Sequence, residues 1–433
     1  MLTLASLPVD ILILILENLG IHQFAALSQT CHALYVIVSE YGWSTYIRSN
    51  PRPSYSLSNA RAAWTPRVRA TYDYMTDSAW TRPEFIARPL SRVWTTKLQP
   101  VLAISPTRLI VGAGSNLYSY KFGTSTSSST APPVMFEGAV SLLDKPERSR
   151  NITAITFIED EGQDQTLDVG FHDGAIERVH LAITPLGPDE PHIMSFSRSK
   201  ITPMPNGDFV ESLSSVSDVV LALSSNGHAR LSSVHSIDSL SFSRPTAILH
   251  TKKASGLPFD KLPSSAVYGL SRGPLNSPWG ASPQIIVSGW FDGQVRCYDL
   301  RSSSRESPSN SDSGSNLSPL RPVLSLADRW SYEPIYSVLF WDIRSPSTGW
   351  SVHAPGNDPS PVYSVILESS RFFGVTQSRP FIYDFGPGVS LDTYPQIPHV
   401  RGIDNLKQKK GSNRATYHVL RYAHNSSGLC NEH

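Results

Sequence analysis

The residues of this chain that could carry chemistry are three cysteines, 13 histidines and a good supply of serine and aspartate. Cys31, Cys297 and Cys430 are odd in number and far apart, which gives neither a disulfide framework nor a CxxC metal pair, and a reducing compartment is the simplest reading. The histidines are dispersed, and no HxxxH or HExxH spacing brings two to one helix face, so no metal site is expected. No Gly-x-Ser-x-Gly elbow presents a serine nucleophile. Gly112-Ala-Gly114 falls inside a hairpin pattern, with no helix after it to receive a dinucleotide phosphate. The expectation is a chain with no catalytic residue, no metal and no cofactor, whose chemistry is that of binding surfaces.

Charge narrows the partners. With 37 basic and 36 acidic residues the net charge is +1, and neither Lys252-Lys253 nor the scattered arginines make a stripe. That balance gives no electrostatic case for nucleic acid or for an anionic membrane. Lys407-Gln-Lys-Lys410 reads as a solvated loop rather than a nuclear signal. Hydrophobic residues at 40% and charged residues at 17% suit a folded protein. The apolar run Ile11–Leu16 is bracketed by Asp10 and Glu17, lacks a basic lead-in, and is far short of the roughly 20 residues that span a bilayer. Secretion and insertion are therefore set aside, the three glycosylation sequons carry no weight, and a cytoplasmic and/or nuclear location is expected.

The elements that must position such surfaces change character along the chain. Residues 1–50 read as helical. Pro8 suits a first helical position, Asp10 a first turn, and Gly20 a C-terminal stop. Ile11, Leu12, Ile15, Leu16 and Leu19 form one stripe, with Ile13 and Leu14 off it as excess apolar surface. A second helical stretch carries Phe24, Leu27, Cys31, Leu34, Tyr35 and Val38 and ends near Gly42 and Trp43. Residues 51–93 show no clean period and read as a connecting segment.

From about residue 94 to 425 short β-type runs alternate with turns. Leu109–Phe122, Leu167–Leu181, Leu221–Val234 and Ile286–Leu300 match one another as strand, tight turn, strand. Asp173-Gly174, Asn226-Gly227 and Asp292-Gly293 supply the turns, and Gly114-Ser-Asn takes that place in the first. The turn glycines 114, 174, 227 and 293 are 60, 53 and 66 residues apart. That is longer than the roughly 40–45 of a compact repeat, so the loops carry insertions. Phe372–Phe385 is a fifth hairpin, and the polar stretch 302–319 is an expected disordered insert.

Two resemblances follow. Leu7-Pro-Val-Asp-Ile-Leu-Ile-Leu-Ile-Leu-Glu-Asn-Leu19, with Phe24, Leu27, Cys31 and Trp43, resembles an F-box over residues 4–49, although Ser28-Gln-Thr30 departs from the usual Val-Ser pair. The resemblance implies docking to the Skp-type adaptor of a cullin-1-type ligase core. It places Leu7, Pro8, Ile11, Leu12, Ile15, Leu16 and Leu27 at the docking face or its support, against the plainer reading that they pack on the rest of the chain. The repeats resemble WD40 propeller blades, with Tyr298-Asp299, Trp341-Asp342 and Tyr383-Asp384 where the family's Trp-Asp dipeptide ends a blade's third strand. Together they resemble an F-box/WD-repeat protein, and Pro89–Leu102 the dactylin-like branch. The implied fold class is mostly β, a WD40-type propeller of six to seven blades behind a small all-α F-box. The implied function is the substrate receptor of an SCF-type ubiquitin ligase, with a protein target that the sequence leaves unknown. Asp299-x-Arg301 and Asp342-x-Arg344 keep open a cullin-4-type receptor, and the blades alone would equally serve a scaffold without a ubiquitin role.

Two further expectations concern the blades. Closure draws on a strand from 94–104 or from 415–420. Pro334-Ile-Tyr-Ser-Val338 and Pro361-Val-Tyr-Ser-Val365 repeat as innermost strands. Asp384 follows Tyr363 by 21 residues but Asp342 follows Tyr336 by only six, so the earlier blade is expected to lack at least one strand and to pack irregularly over 330–340 and 349–353.

Overall fold

The computed structural model describes residues 4, 7–94, 96–123, 131–143, 150–182, 195–201, 209–216, 219–224, 229–233, 241–242, 267–272, 282, 284–290, 294–302, 321–327, 337–341, 349–356, 358–389, 394, 397, 421–424 and 431–432. They form two compact units, Met1–Phe242 with Val362–His418 and Ser243–Pro361 with Val419–His433. The Asn226-Gly227 and Asp292-Gly293 turns, the insert and the basic run at 407–410 lie outside the described residues.

The first unit opens with helices. They are α1 (Val9–Leu16), α2 (Ile21–Ser28), α3 (His32–Ile37), a π turn over Val38–Gly42, α4 (Trp43–Ser49), α5 (Ser58–Ala63) and α6 (Pro66–Thr81). Several expected boundaries move. Pro8 is the N-cap of α1 rather than its first residue, and α1 ends at Leu16. Gly20 does not stop α1 but caps α2, where its N–H donates to Gln23 Oε1 at 3.1 Å. The second helical stretch is broken at residues 29–31, and the π turn carries the chain through Gly42 and Trp43 into α4 instead of ending it. The connecting segment is also not irregular: it holds α5, α6 and the strand β1 (Ile86–Pro89). Thr65 caps α6 by accepting the Val68 N–H, and Pro66 pre-sets its first turn.

Four-stranded antiparallel sheets follow, six among the described residues, each the size of a propeller blade, four of them simple meanders. The first is β2 (Val101–Ile104), β3 (Arg108–Ala113), β4 (Asn116–Phe122) and β5 (Val134–Ser141). The second is β6 (Ile152–Phe157), β7 (Thr166–Phe171), β8 (Ile176–Ala182) and β9 (Ser195–Ile201). The third is β10 (Val210–Val216), β11 (Val219–Ser224), β12 (Ala229–Ser233) and β13 (Ser241–Phe242). In the second unit a blade is made by β14 (Val267–Arg272), β15 (Ile285–Trp290), β16 (Gln294–Asp299) and β17 (Leu324–Ala327). Another begins with β18 (Ser337–Trp341) and β19 (Gly349–His353). The sixth, in the first unit, is β20 (Val362–Leu367), β21 (Arg371–Thr376) and β22 (Pro380–Asp384), completed at its outer edge by β1. The matching hairpins of the sequence are the second and third strands of these blades.

The mostly β, propeller-type class expected from the sequence is the one observed. In the first unit the inner strands β20, β2, β6 and β10 lie side by side in that order. Both faces of a middle strand therefore meet a neighbour. Leu109, Val111 and Ala113 of β3 share a core with Phe373, Val375 and Ile382 of the sixth blade. Ile110, on the opposite face of β3, packs with Ile152, Ile155 and Val169 of the second. This is why the middle strands read as continuous apolar runs without alternation.

Close approach between blades explains a repeated glycine. A Cβ on Gly112 would meet Ile155 at 2.6 Å, and one on Gly170, at the same place in the next blade, would meet Val210 at 2.6 Å. A Cβ on Gly289, the matching residue of the fourth blade, would meet nothing within 4 Å among the described residues. Gly170→Ala is expected to cost about 1–3 kcal/mol by overpacking, while Gly289→Ala stays within roughly 0.5 kcal/mol. Urea midpoints of the two variants test this, and equal midpoints would remove the packing explanation.

Three blade expectations are corrected. Closure of the sixth blade uses β1, not 94–104, whose β2 opens its own blade; 415–420 lies outside the described residues. Trp341 ends the first strand of its sheet, not the third, because β18 is the inner edge. Among the described residues the short blade has two local strands, and it is filled by β23 (Arg421–His424) and β24 (Asn431–Glu432) from the end of the chain; 330–336 lies outside the described residues. Gly349–His353 is correspondingly regular, paired with β18 from Ser337↔His353 to Trp341↔Gly349.

Turn chemistry is as expected at Gly114, whose φ of +60° opens the two-residue connection of β3 to β4. The β7–β8 connection is instead a four-residue loop over 172–175, with Gly174 at φ +80° donating its N–H to Phe171 O at 3.0 Å.

Candidate functional site

Six consecutive aliphatic side chains at positions 11–16 cannot all be buried by a helix of eight residues. The structure divides them. Leu12 and Leu16 face inward, 3% and 4% exposed. Leu16 joins Phe24, Val38, Trp43 and Ala70 in one core, with Leu27 partly buried against it. Phe24 meets Trp43 edge-on at 5.4 Å between ring centres. Burial of such side chains is worth about 1.5–3 kcal/mol each. Ala70 belongs to α6, so the helical unit completes its interior with a residue from beyond its own span.

The other side of α1 is left open. Ile11 is 46% exposed and Leu14 60%. Pro8 is exposed as well, and Leu7 and Ile15 are half-buried. Pro8, Ile11, Leu14 and Ile15 recur at three- and four-residue spacing, which puts them on one face. Leu4, also exposed, lies just before it. Asn18 donates to Leu14 O at 3.0 Å and covers a terminal carbonyl of the helix.

The seven sequence candidates therefore split. Leu7, Pro8, Ile11 and Ile15 are on or beside the open face; Leu12 and Leu16 are interior supports; Leu27 packs beneath. Leu14 was placed outside the stripe by the sequence reading and is the most exposed apolar residue of the helix. The stripe thus separates Leu12 from Leu14 as the sequence expects, but it groups Ile11, which is open to water, with the buried Leu12 and Leu16, because an uninterrupted aliphatic run does not mark which edge of the stripe faces water.

This open face is held to the sixth blade by α6 and the chain before it. Leu57, Ala60, Trp64 and Tyr72 form a second small core. Tyr72 donates its hydroxyl to Ser370 Oγ at 2.9 Å. Trp80 stacks on Phe385 at 3.5 Å and donates its indole N–H to Ser369 O at 2.9 Å. Between the cores lies a buried ion pair, Arg61 with Asp73. Burial pushes the Asp73 carboxyl up to about 6 and draws the Arg61 guanidinium down, in each case against the attraction of the other. Glu368, in the turn between β20 and β21, accepts hydrogen bonds from the backbone of Tyr55 at 2.5 Å and of Ser56 at 3.2 Å. Among the described residues no group of three or more His, Cys, Asp or Glu is placed to hold a metal, and no helix is long and apolar enough to cross a membrane.

The arrangement is a small helical unit offering one apolar helix face, set on propeller blades. Residues 4–48 match the F-box-like family, and the N-terminal region is an F-box-like domain. Comparison with curated proteins gives no match. Among solved structures the chain is similar to the WD40 β-propeller domain of Doa1, with a TM-score of 0.41 and 10% identity, over 71% of this chain and 99% of that one.

Proposed function

We propose that the chain is the substrate-recognition subunit of an SCF-type cullin-RING ubiquitin ligase. The F-box-like domain docks a Skp-type adaptor, and through it a cullin-1-type core, while the blades hold a target protein. The chain itself performs no catalysis in this reading and needs no cofactor. The observation that carries it is the open apolar face of α1, in a domain whose core of Leu16, Phe24, Val38 and Trp43 is already closed by Ala70 of α6. The finer placement in the dactylin-like branch rests on Pro89–Leu102, a stretch whose Leu90 and Trp94 are buried in the core between the first and sixth blades.

The target is assigned to the blade end away from the F-box. Residues 54–56, Tyr72 and Trp80 occupy the sixth blade at its 368–370 turn and at Phe385. The opposite ends of the blades carry the turns at 114–115, 172–175 and 377–379, and these are the surfaces left for a protein ligand. A cullin-4-type role through the Asp-x-Arg pattern is disfavoured at Arg301, which turns back to its own Asp299 at 2.9 Å. The test is co-purification of the full chain with a Skp-type adaptor. Stable one-to-one capture is expected, and failure of the folded chain to hold the adaptor at micromolar concentration would sink the reading.

A further inference from the structure

Glu368 is a buried carboxylate whose hydrogen-bonding partners, among the described residues, are all neutral. They come from one three-residue stretch. Tyr55 and Ser56 give backbone N–H groups, Ser56 its hydroxyl, and Ser54 its hydroxyl at 3.1 Å. A carboxylate held only by neutral donors tolerates no second negative charge beside it, since like charges a few ångströms apart in a partly desolvated site are poorly screened. Of the two serine hydroxyls in the set, that of the half-buried Ser54 is the more accessible, since Ser56 is buried. It follows Pro53 in the irregular stretch between α4 and α5, and its neighbour Tyr55 is 56% exposed. The closest cation in that stretch, Arg52, already holds Asp77 at 2.7 Å.

We propose that Ser54 is a phosphorylation site whose modification opens this clasp. A protein kinase would transfer the γ-phosphoryl group of a nucleoside triphosphate. The Ser54 oxygen forms the new P–O bond as the bond from that phosphorus to its bridging oxygen breaks, the diphosphate leaves, and the hydroxyl proton passes to solvent. A donor hydroxyl becomes a group carrying about −1.5 to −2 charge facing Glu368. Release is confined to residues 50–64. The ties of α6 do not pass through Glu368: Tyr72 keeps Ser370, Trp80 keeps Phe385, and β1 stays paired with β22. The F-box-like domain then loses the attachment made through Glu368 and gains angular freedom about α6, whichever partner α1 takes.

Hydrogen exchange on the full chain tests the clasp. Ser54→Glu is expected to speed exchange over 50–64 by about tenfold or more, with 66–89 unchanged. Ser54→Ala, which removes a hydrogen bond without adding charge, should change it by no more than about threefold. The double variant Ser54→Glu with Glu368→Gln should return protection toward the level of Ser54→Ala, because the amide oxygen still accepts the backbone N–H groups. Equal protection in Ser54→Glu and Ser54→Ala overturns the proposal, as does a loss in Ser54→Glu that Glu368→Gln leaves uncorrected. Peptide mass mapping of the protein isolated with phosphatases inhibited should place a phosphate on residue 54, and its consistent absence there also overturns it.

Discussion

Arg371→Ala is expected to be among the most destabilising single substitutions in the chain, at about 3–5 kcal/mol. Arg371 and Asp384 lie opposite each other across β21 and β22, both fully buried, with Nε to Oδ2 at 2.9 Å. Burial alone disfavours the guanidinium charge, but Asp384 and the hydroxyls of Tyr394 and Tyr72 outweigh it, so the pKa of Arg371 lies above its ordinary value. Asp384 in turn accepts the Tyr394 hydroxyl at 2.6 Å and the Gly386 N–H at 2.9 Å. The guanidinium also donates to Pro132 O, on the approach to β5, which ties the sixth blade to the first. Alanine at 371 leaves a buried carboxylate with two neutral donors, and removes the tie as well. Asp384→Leu should cost a similar amount for the converse reason. The pair Arg371→Met with Asp384→Leu is expected to recover most of the loss, since an apolar pair has no charge to desolvate. Urea unfolding of the three variants reads this directly. A double variant as unstable as the sum of the singles would show that the ion pair is not the reason.

What was legible in the sequence follows from what each residue has to do. The blades announce themselves because their middle strands are buried on both faces and bounded by turns of fixed chemistry, as at Gly114. The helix α6 does not. Its buried positions are Ala70, Tyr72, Asp73 and Thr76, of which Asp73, paired with Arg61, and Thr76 are polar. A stripe of that composition has no apolar period to detect, and only the Thr65-Pro66 start was there to be read. The strand β1 hides for a related reason. Ile86-Ala-Arg-Pro89 is a poor central strand, yet Pro89 is tolerated because β1 is the outer edge, and Arg88 is buried near the Tyr394 ring.

The short blade shows where local counting stops. The shortage of residues between Tyr336 and Asp342 was visible, and among the described residues the stretch supplies two strands. Its remedy is non-local, a strand pair from 421–432, and spacing along the chain cannot point to a partner some 70 residues away. The same limit applies to the docking face. A Leu-Pro start and a run of aliphatics mark the helix, but inside and outside are decided by Phe24, Trp43 and Ala70 arriving from three other elements.

That division between inside and outside gives the second large effect. Ile11→Asp combined with Leu14→Asp is expected to weaken adaptor binding by roughly 100- to 1,000-fold, the equivalent of about 3–4 kcal/mol. Both side chains are open to water in the free chain, so the charges cost little until a partner removes that water. The fold should accordingly keep its melting temperature within a few degrees. Leu12→Asp makes the contrast. Leu12 is 3% exposed, and a carboxylate there is buried without a partner. It should unfold the N-terminal helices and lose adaptor binding only as a consequence. Calorimetry on the full-length variants separates the two cases: binding lost with the fold intact for the outer pair, binding and fold lost together for Leu12. If the outer double variant still holds the adaptor with undiminished affinity, the open face of α1 is not the docking surface, and Leu7, Pro8 and Ile15 lose their assigned role with it.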